Sequence, residues 1–260
     1  MTETTTQHDV EQWRLWRTER EESLREPHGW LSPVALHWLT DQPTGFDDLP
    51  GSWSADGDGV TLRARAEDGF TADGAPVHGE IRLDRSTPKI VLGDRQVEVM
   101  GHNIGWAVRV RDPRSPALTG FTGVPTRDYD PRWAVPGVYE PYDEPRQVTV
   151  GAVVAGLIQP ASAVGVVRFE VDGVEHRLTA FAGGANLVIL FNDATSGDTT
   201  FWGSRALVIP VPGPDGRLLV DFNRATNPPA AFTDHATCPV PPTENRLPVA
   251  VEAGELKPRR

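Results

Sequence analysis

The chain has 260 residues, a net charge of −11 and a single cysteine, Cys238, with 24 prolines and 25 glycines. The acidic excess argues against a sequence-independent nucleic-acid binder and against docking on anionic membranes. One cysteine excludes an internal disulfide framework, and the prolines and glycines point to many turns and few long helices.

The first residues are polar and lack an apolar leader segment, and no apolar run approaches ~18 residues. The expectation is a cytoplasmic protein of unspecified oligomeric state. Residues 1–8 read as a disordered tail. A helix is expected from Asp9, which can cap it, with Gln12 completing a capping box. Val10, Trp13, Trp16 and Leu24 then share one face, and Arg17–Glu21 is an i,i+4 ion pair. Pro27 and Gly29 end it. The apolar stretch from Gly29 to Leu39 reads as a short second helix with Pro33 in its first turn, placing Trp30, Val34 and Trp38 together. Residues 9–45 thus form a helical segment ahead of a β domain at 46–260, which can divide into sub-domains at 46–145 and 146–260.

From residue 58 the hydrophobic period becomes two. Val60–Ala66, Val77–Leu83, Lys89–Leu92, Arg95–Val99 and Gly105–Arg111 read as strands, with turns at Asp73-Gly74 and Gly93-Asp94. Residues 112–146, rich in proline and aromatics, read as a long ordered connection. Further strands are expected at Val148–Gln159, Val164–Val171, Val174–Ala182, Asn186–Asn192, Arg205–Val211 and Arg217–Asn223. At Asp172-Gly173 a two-residue turn sets Glu170 against Glu175 and Arg168 against Arg177, so a three-residue turn is the expectation. The fold class is mainly β: an antiparallel sandwich or barrel-like core with an N-terminal helix packed across it.

Common catalytic and nucleotide-binding motifs are missing. Asp56-Gly-Asp58-Gly begins like a calcium loop, but Val60 stands where an oxygen ligand is needed. His235 and Cys238 have half a zinc spacing without a second cysteine, so neither metal nor cofactor is expected. The densest polar region is Phe191–Glu255. Pairing Arg205–Val211 with Arg217–Asn223 as a hairpin puts Arg205 on the face of Asp221 and Asn223, where an Arg–Asp pair forms either a ligand site or a structural brace. Asn227, before Pro228, and the proline-stiffened Asn245 and Arg246 complete the candidate pocket, with Trp30 and Trp38 as its apolar wall. Asp221 and Glu244 are the candidate acid/base groups, and Glu255 is a further carboxylate that can equally be ion-paired.

These residues resemble a bacterial and archaeal family, domain of unknown function 1684. The likeness rests on Gly29-Trp30-Leu31 with Leu36–Leu39, and on Pro131-Arg132-Trp133. It continues through Phe191–Gly197 with Thr200, Gly203 and Arg205, then Asp221-Phe222-Asn223 with Ala225, Asn227 and Pro228. Last come Cys238-Pro239, Pro241-Pro242, Asn245-Arg246-Leu247 and Ala253-Gly254-Glu255. The chain departs from the pattern at Ala230, where relatives place a cysteine, and at Gly45-Phe46-Asp47-Asp48, where they tend to an Asn- and Gly-containing turn. The resemblance implies no reaction and assigns no catalytic residue. The leading expectation is a metal-independent enzyme or binder acting on a small polar or anionic molecule. The alternative is a non-enzymatic interaction module whose polar cluster stabilises the fold.

Overall fold

Alternation of apolar and polar residues governs most of the chain, and it folds as antiparallel sheet. A computed structural model describes residues 2–87 and 89–259. It divides into two units, one of Ser23–Thr122 with Phe232–Ala236, the other of Met1–Glu22, Gly123–Ala231 and Thr237–Arg260. The division falls near residue 122, ahead of the sequence-based boundary at 145.

Among the described residues the first unit holds ten strands: β1 (Pro33–Trp38), β2 (Thr44–Phe46), β3 (Leu49–Asp56), β4 (Gly59–Ala64), β5 (Phe70–Ala72), β6 (Ala75–Pro76), β7 (Gly79–Leu83), β8 (Ile90–Leu92), β9 (Arg95–His102) and β10 (Gly105–Arg111). They make a six-stranded sheet, β1-β10-β9-β8-β5-β6, and a four-stranded one, β2-β3-β4-β7. Leu49, Trp53 and Leu62 from the smaller sheet share a buried core with Ile90, Val97, Val108 and Val110 from the larger. Asp56-Gly-Asp58-Gly is a plain hairpin turn, Asp56 facing Gly59 and its Oδ1 accepting the Asp58 amide at 2.9 Å.

The segment read as a second helix is the edge strand β1, with Leu36 opposite Arg109 and Trp38 opposite Ala107. The correction has a simple cause. A strand one side of which pairs with β10 satisfies the backbone that a six-residue helix in water could not stabilise alone.

Among the described residues the second unit has a six-stranded sheet: β11 (Ala134–Gly151), β12 (Ile158–Val171), β13 (Val174–Gly183), β14 (Asn186–Phe191), β15 (Arg205–Pro210) and β16 (Arg217–Asp221). Their order is β15-β14-β13-β12-β11-β16. The sheet curls into a nearly closed barrel around Val167, Phe169, Leu178, Ile189, Phe191, Val220 and Phe222. The first helix, α1 (Thr2–Leu24), belongs to this unit up to Glu22. It takes in most of the stretch read as a tail, so Asp9 lies within the helix and does not cap it.

Two further expectations change. Residues 134–146, read as part of a connection, belong to β11, whose ladder to β12 skips between Pro141 and Arg146. The prolines mask the period-two pattern there. Asp172 and Gly173 form a two-residue turn with φ of 51° and 76°, and Val171 pairs Val174. Glu170 therefore does face Glu175, and Arg168 faces Arg177. The repulsion is relieved diagonally: Arg168 reaches Glu175 at 3.1 Å and Glu140 at 2.8 Å, and Arg177 reaches Glu175 at 3.1 Å. The Arg168 and Arg177 guanidiniums hold the Glu175 carboxyl below its usual range. Since L side chains pay for a left-handed backbone, Gly173→Ala is expected to cost ~1–2 kcal/mol. Urea unfolding of the variant checks this, and a loss under a few tenths would contradict the turn.

Candidate functional site

The polar groups of the last third separate into two sets on opposite sides of the barrel wall. Period two decides which. Along β15, Arg205, Leu207 and Ile209 are buried while Val208 and Pro210 are exposed. Along β16, Val220 is buried, as is Phe222 beyond it, whereas Leu219 is exposed and Asp221 half-buried. Arg205 therefore points into the barrel and Asp221 outward. β15 and β16 are not ladder partners but the two outer strands of the sheet, and Ala206 of β15 bridges Thr226 beyond β16, so the hairpin register read from sequence does not form.

Inside, Arg205 is wholly buried and pairs with Asp193, equally buried. Its Nη1 donates to the Ala253 carbonyl at 2.6 Å and its Nη2 also to that of Val251 at 3.0 Å. The guanidinium lies 4.9 Å from the Phe191 ring centre. Burial pushes the Arg205 guanidinium down from its ordinary range, and Asp193 opposes that shift. Asp193 Oδ1 accepts the Thr195 amide and hydroxyl, both at 2.6 Å. Asn245 spans two strands: its amide donates to the carbonyls of Thr179 and Leu190 and its Oδ1 accepts the Thr179 amide. Asn223, in the turn that links the two sets, exchanges hydrogen bonds with the Asp130 backbone and donates its side-chain amide to Asp221 Oδ1 at 2.9 Å. Asn227 donates its side-chain amide to the Leu256 carbonyl and its backbone amide to buried Glu255, which also takes Arg20 at 3.0 Å. These side chains hold backbone.

Outside, the two sheet edges flank a cleft of about 230 Å³. Val208 and Pro210 line one side, Leu219 and Asp221 the other, with Tyr129, Arg224 and, from α1, Asp9 and Gln12 around them. Asp221 caps the turn after β16 through its Oδ1, accepting the Asn223 amide at 3.1 Å, while its Oδ2 meets Arg224 at 3.2 Å. Arg224 also lies 5.5 Å from the Trp16 ring centre. Burial, then the charges of Asp221 and Asp9, push the Tyr129 hydroxyl above its ordinary range, with Arg224 opposing. Tyr129 is thus a hydrogen-bond donor at any physiological pH.

The remaining candidates lie elsewhere. Glu244 and Arg246 are exposed, beside Asn245 but outside the cleft. Trp30 and Trp38 belong to the other unit. There Trp30 lies under Arg109 and Arg111, 5.1 and 4.4 Å away, and both guanidiniums clamp Glu98. Trp38 packs at 5.8 Å against His102, which burial, followed by Arg109 and Arg85, pushes below its ordinary range. The His235 carbonyl accepts Arg109 Nε at 2.7 Å. Among the described residues no group of three or more His, Cys, Asp or Glu side chains could hold a metal. None of the described helices is long and apolar enough to cross a membrane.

The model of the family described as "Protein of unknown function (DUF1684)" matches residues 119–256, more than half of the chain. The chain belongs to this family. The matched stretch holds the barrel strands, the Asp193–Arg205 pair and, apart from Asp9 and Gln12, the cleft. The DUF1684 likeness noted at Gly29–Leu39 lies outside it. No curated protein matches the chain. A solution NMR structure of an uncharacterized protein of Haloarcula marismortui is similar, with 29% identity and a TM-score of 0.45, covering 53% of this chain and 78% of that one.

Sequence reasoning missed Asp193, Tyr129, Arg224 and Asp9. The Arg205 orientation had a signal: Arg-Ala-Leu-Val-Ile alternates, and Arg205 falls in phase with Leu207 and Ile209. Asp193-Ala-Thr195 had another, since an Asp two residues before Thr favours an Asx turn.

Proposed function

We propose that this DUF1684 chain binds a small polar molecule in the cleft between β15 and β16, through Asp221, Arg224, Tyr129, Asp9 and Gln12. The observation that carries this reading is the convergence of those groups on one apolar-floored cavity between the outer strands of the barrel sheet. Binding sites are commonly apolar clefts with a few placed polar groups; at about 230 Å³ this one suits a ligand of roughly ten heavy atoms or fewer. Two carboxylates stand against one guanidinium, and Tyr129 keeps its proton. The matching ligand therefore presents donors, hydroxyl or ammonium, more readily than a carboxylate or phosphate. Arg205, sealed in the interior, takes no part in the cleft, and Arg224 is occupied by Asp221. In the enzymatic version of this reading Asp221 takes and returns the proton; Glu244 stands outside the cleft.

A second reading is favoured by the inner set. Arg205, held by Asp193 and two carbonyls, and Asn227 and Asn245, held by backbone, are fully engaged, as a non-enzymatic module braced by its polar residues requires. A thermal-shift screen with small amines, polyols and carboxylates separates the two. A ligand at 100 times its Kd stabilises by about 2.7 kcal/mol, several degrees in melting temperature. Asp221→Asn keeps an oxygen for the Asn223 amides but loses the charge and the Arg224 ion pair, so the amine shift is expected to fall by more than half and the unliganded melting temperature by a few degrees at most. No shift with any class, or an equal shift in Asp221→Asn and Arg224→Met, would sink the cleft reading.

A further inference from the structure

We propose that the first part of α1, up to Gln12, is a lid over the seam cleft that pivots at Trp13. This rests on the binding reading above and adds its gate. The helix is unevenly fastened. From Trp13 onward it is bolted to the barrel. Trp13 Nε1 donates to the Asn223 carbonyl at 3.0 Å, and Arg17 Nη2 donates to that of Val124 at 3.1 Å. Arg20 reaches buried Glu255 at 3.0 Å and the Asn227 carbonyl at 3.1 Å. Glu21 accepts the Val124 amide at 3.3 Å.

Ahead of Trp13 the picture changes. Among the described side chains of residues 7–12, the hydrogen bond formed is Gln7 to Glu11, within the helix itself. What this stretch offers the barrel is the cleft wall, through Asp9 and Gln12. Helical spacing puts Asp9, Gln12, Trp13 and Trp16 on one face, so the face that anchors the helix continues as the cover of the cleft. The fastening ends where the cavity begins. A segment without described hydrogen bonds to the barrel, joined to one with several, opens first, and ligand gates are drawn from such segments. Opening at the pivot uncovers Asp221 and Tyr129 without disturbing the Glu255 and Val124 anchors.

Amide hydrogen exchange on the full unliganded chain tests this. Amides of residues 8–12 are expected to exchange on the order of 100-fold faster than those of 16–22, with the break at Trp13. A merely frayed helix end would also exchange fast, so the deciding readout is its response to the cleft. Asp9→Ala and Gln12→Ala, which remove this stretch's contribution to the cleft while raising its intrinsic helix propensity, are expected to raise exchange at 8–12 at least severalfold and leave 16–22 unchanged. Exchange at 8–12 unmoved by both variants identifies simple fraying and overturns the lid; uniform protection from 9 to 22 overturns it too. Neither readout uses a ligand, so the lid can fail while amine binding stands, and the reverse.

Discussion

Asp193→Ala is expected to destabilise the barrel unit by ~3–5 kcal/mol, because it leaves the Arg205 charge buried and unpaired. Both side chains are fully shielded from water, and two backbone carbonyls already take the remaining Arg205 donors they can reach. The guanidinium cannot lose its proton at ordinary pH, so the protein must hydrate it, by local opening, or carry the penalty. Asp193 also ties Thr195, whose hydroxyl meets that of Thr200 at 2.9 Å, so the loop leading back to β15 loosens with the pair. Arg205→Met is expected to cost less than Asp193→Ala, since methionine fills the space beside Phe191 and the Asp193 carboxylate keeps the Thr195 amide and hydroxyl. The double variant is expected to be more stable than the sum of the singles implies, by a coupling of ~1–3 kcal/mol. Urea unfolding of the four proteins, following barrel tryptophans, measures this. An Asp193→Ala loss below ~1 kcal/mol would show that the pair is hydrated and that its role as a brace is misjudged.

That pair also shows what the sequence could and could not reveal. Strands with clean alternation were legible: Gly105–Arg111 is a strand with the bounds read for it, and the Asp73-Gly74 and Gly93-Asp94 turns fall where their residue types place them. Local chemistry suffices there. Arg205 and Asp221 were recognised as important and assigned to each other because a loop of five residues between two strands usually closes a hairpin. In a curled sheet the same loop can bridge the two edges across a seam, and only the ladders β14–β15 and β11–β16 distinguish the cases. Those ladders depend on residues 134–138 and 186–191, far from the loop. The cleft was legible in one residue, Asp221. Tyr129, Arg224 and Asp9 come from three separate segments, and no spacing rule connects them. Trp30 and Trp38 were read as a pocket wall from helical spacing; once β1 is a strand, they lie in a different unit.

Phe222→Ala is expected to cost a similar ~3–5 kcal/mol, and its consequences reach the cleft. The ring is fully buried and meets three others edge-on: Phe169 and Phe191 at 5.5 Å and Trp133 at 6.0 Å. It thereby joins β12 and β14 to the turn that follows β16. Removing it opens a cavity bounded by rigid rings, which collapse poorly, and forfeits edge-to-face contacts worth ~0.5–1.5 kcal/mol each. Phe222→Leu keeps most of the volume and is expected to lose only ~1–2 kcal/mol, chiefly those ring contacts. Position matters as much as magnitude. Phe222 is the inward residue between Asp221, which faces the cleft, and Asn223, whose carbonyl holds Trp13 at the base of the proposed lid. The ring fixes both. In Phe222→Leu, still folded, amide exchange should therefore rise at residues 8–14 of α1 as well as in the turn, while β9 and β10 of the other unit stay as they were. If the change remained confined to the barrel interior and α1 kept its wild-type protection, Phe222 would be a core residue and nothing more, and the link from interior packing to the seam would be lost.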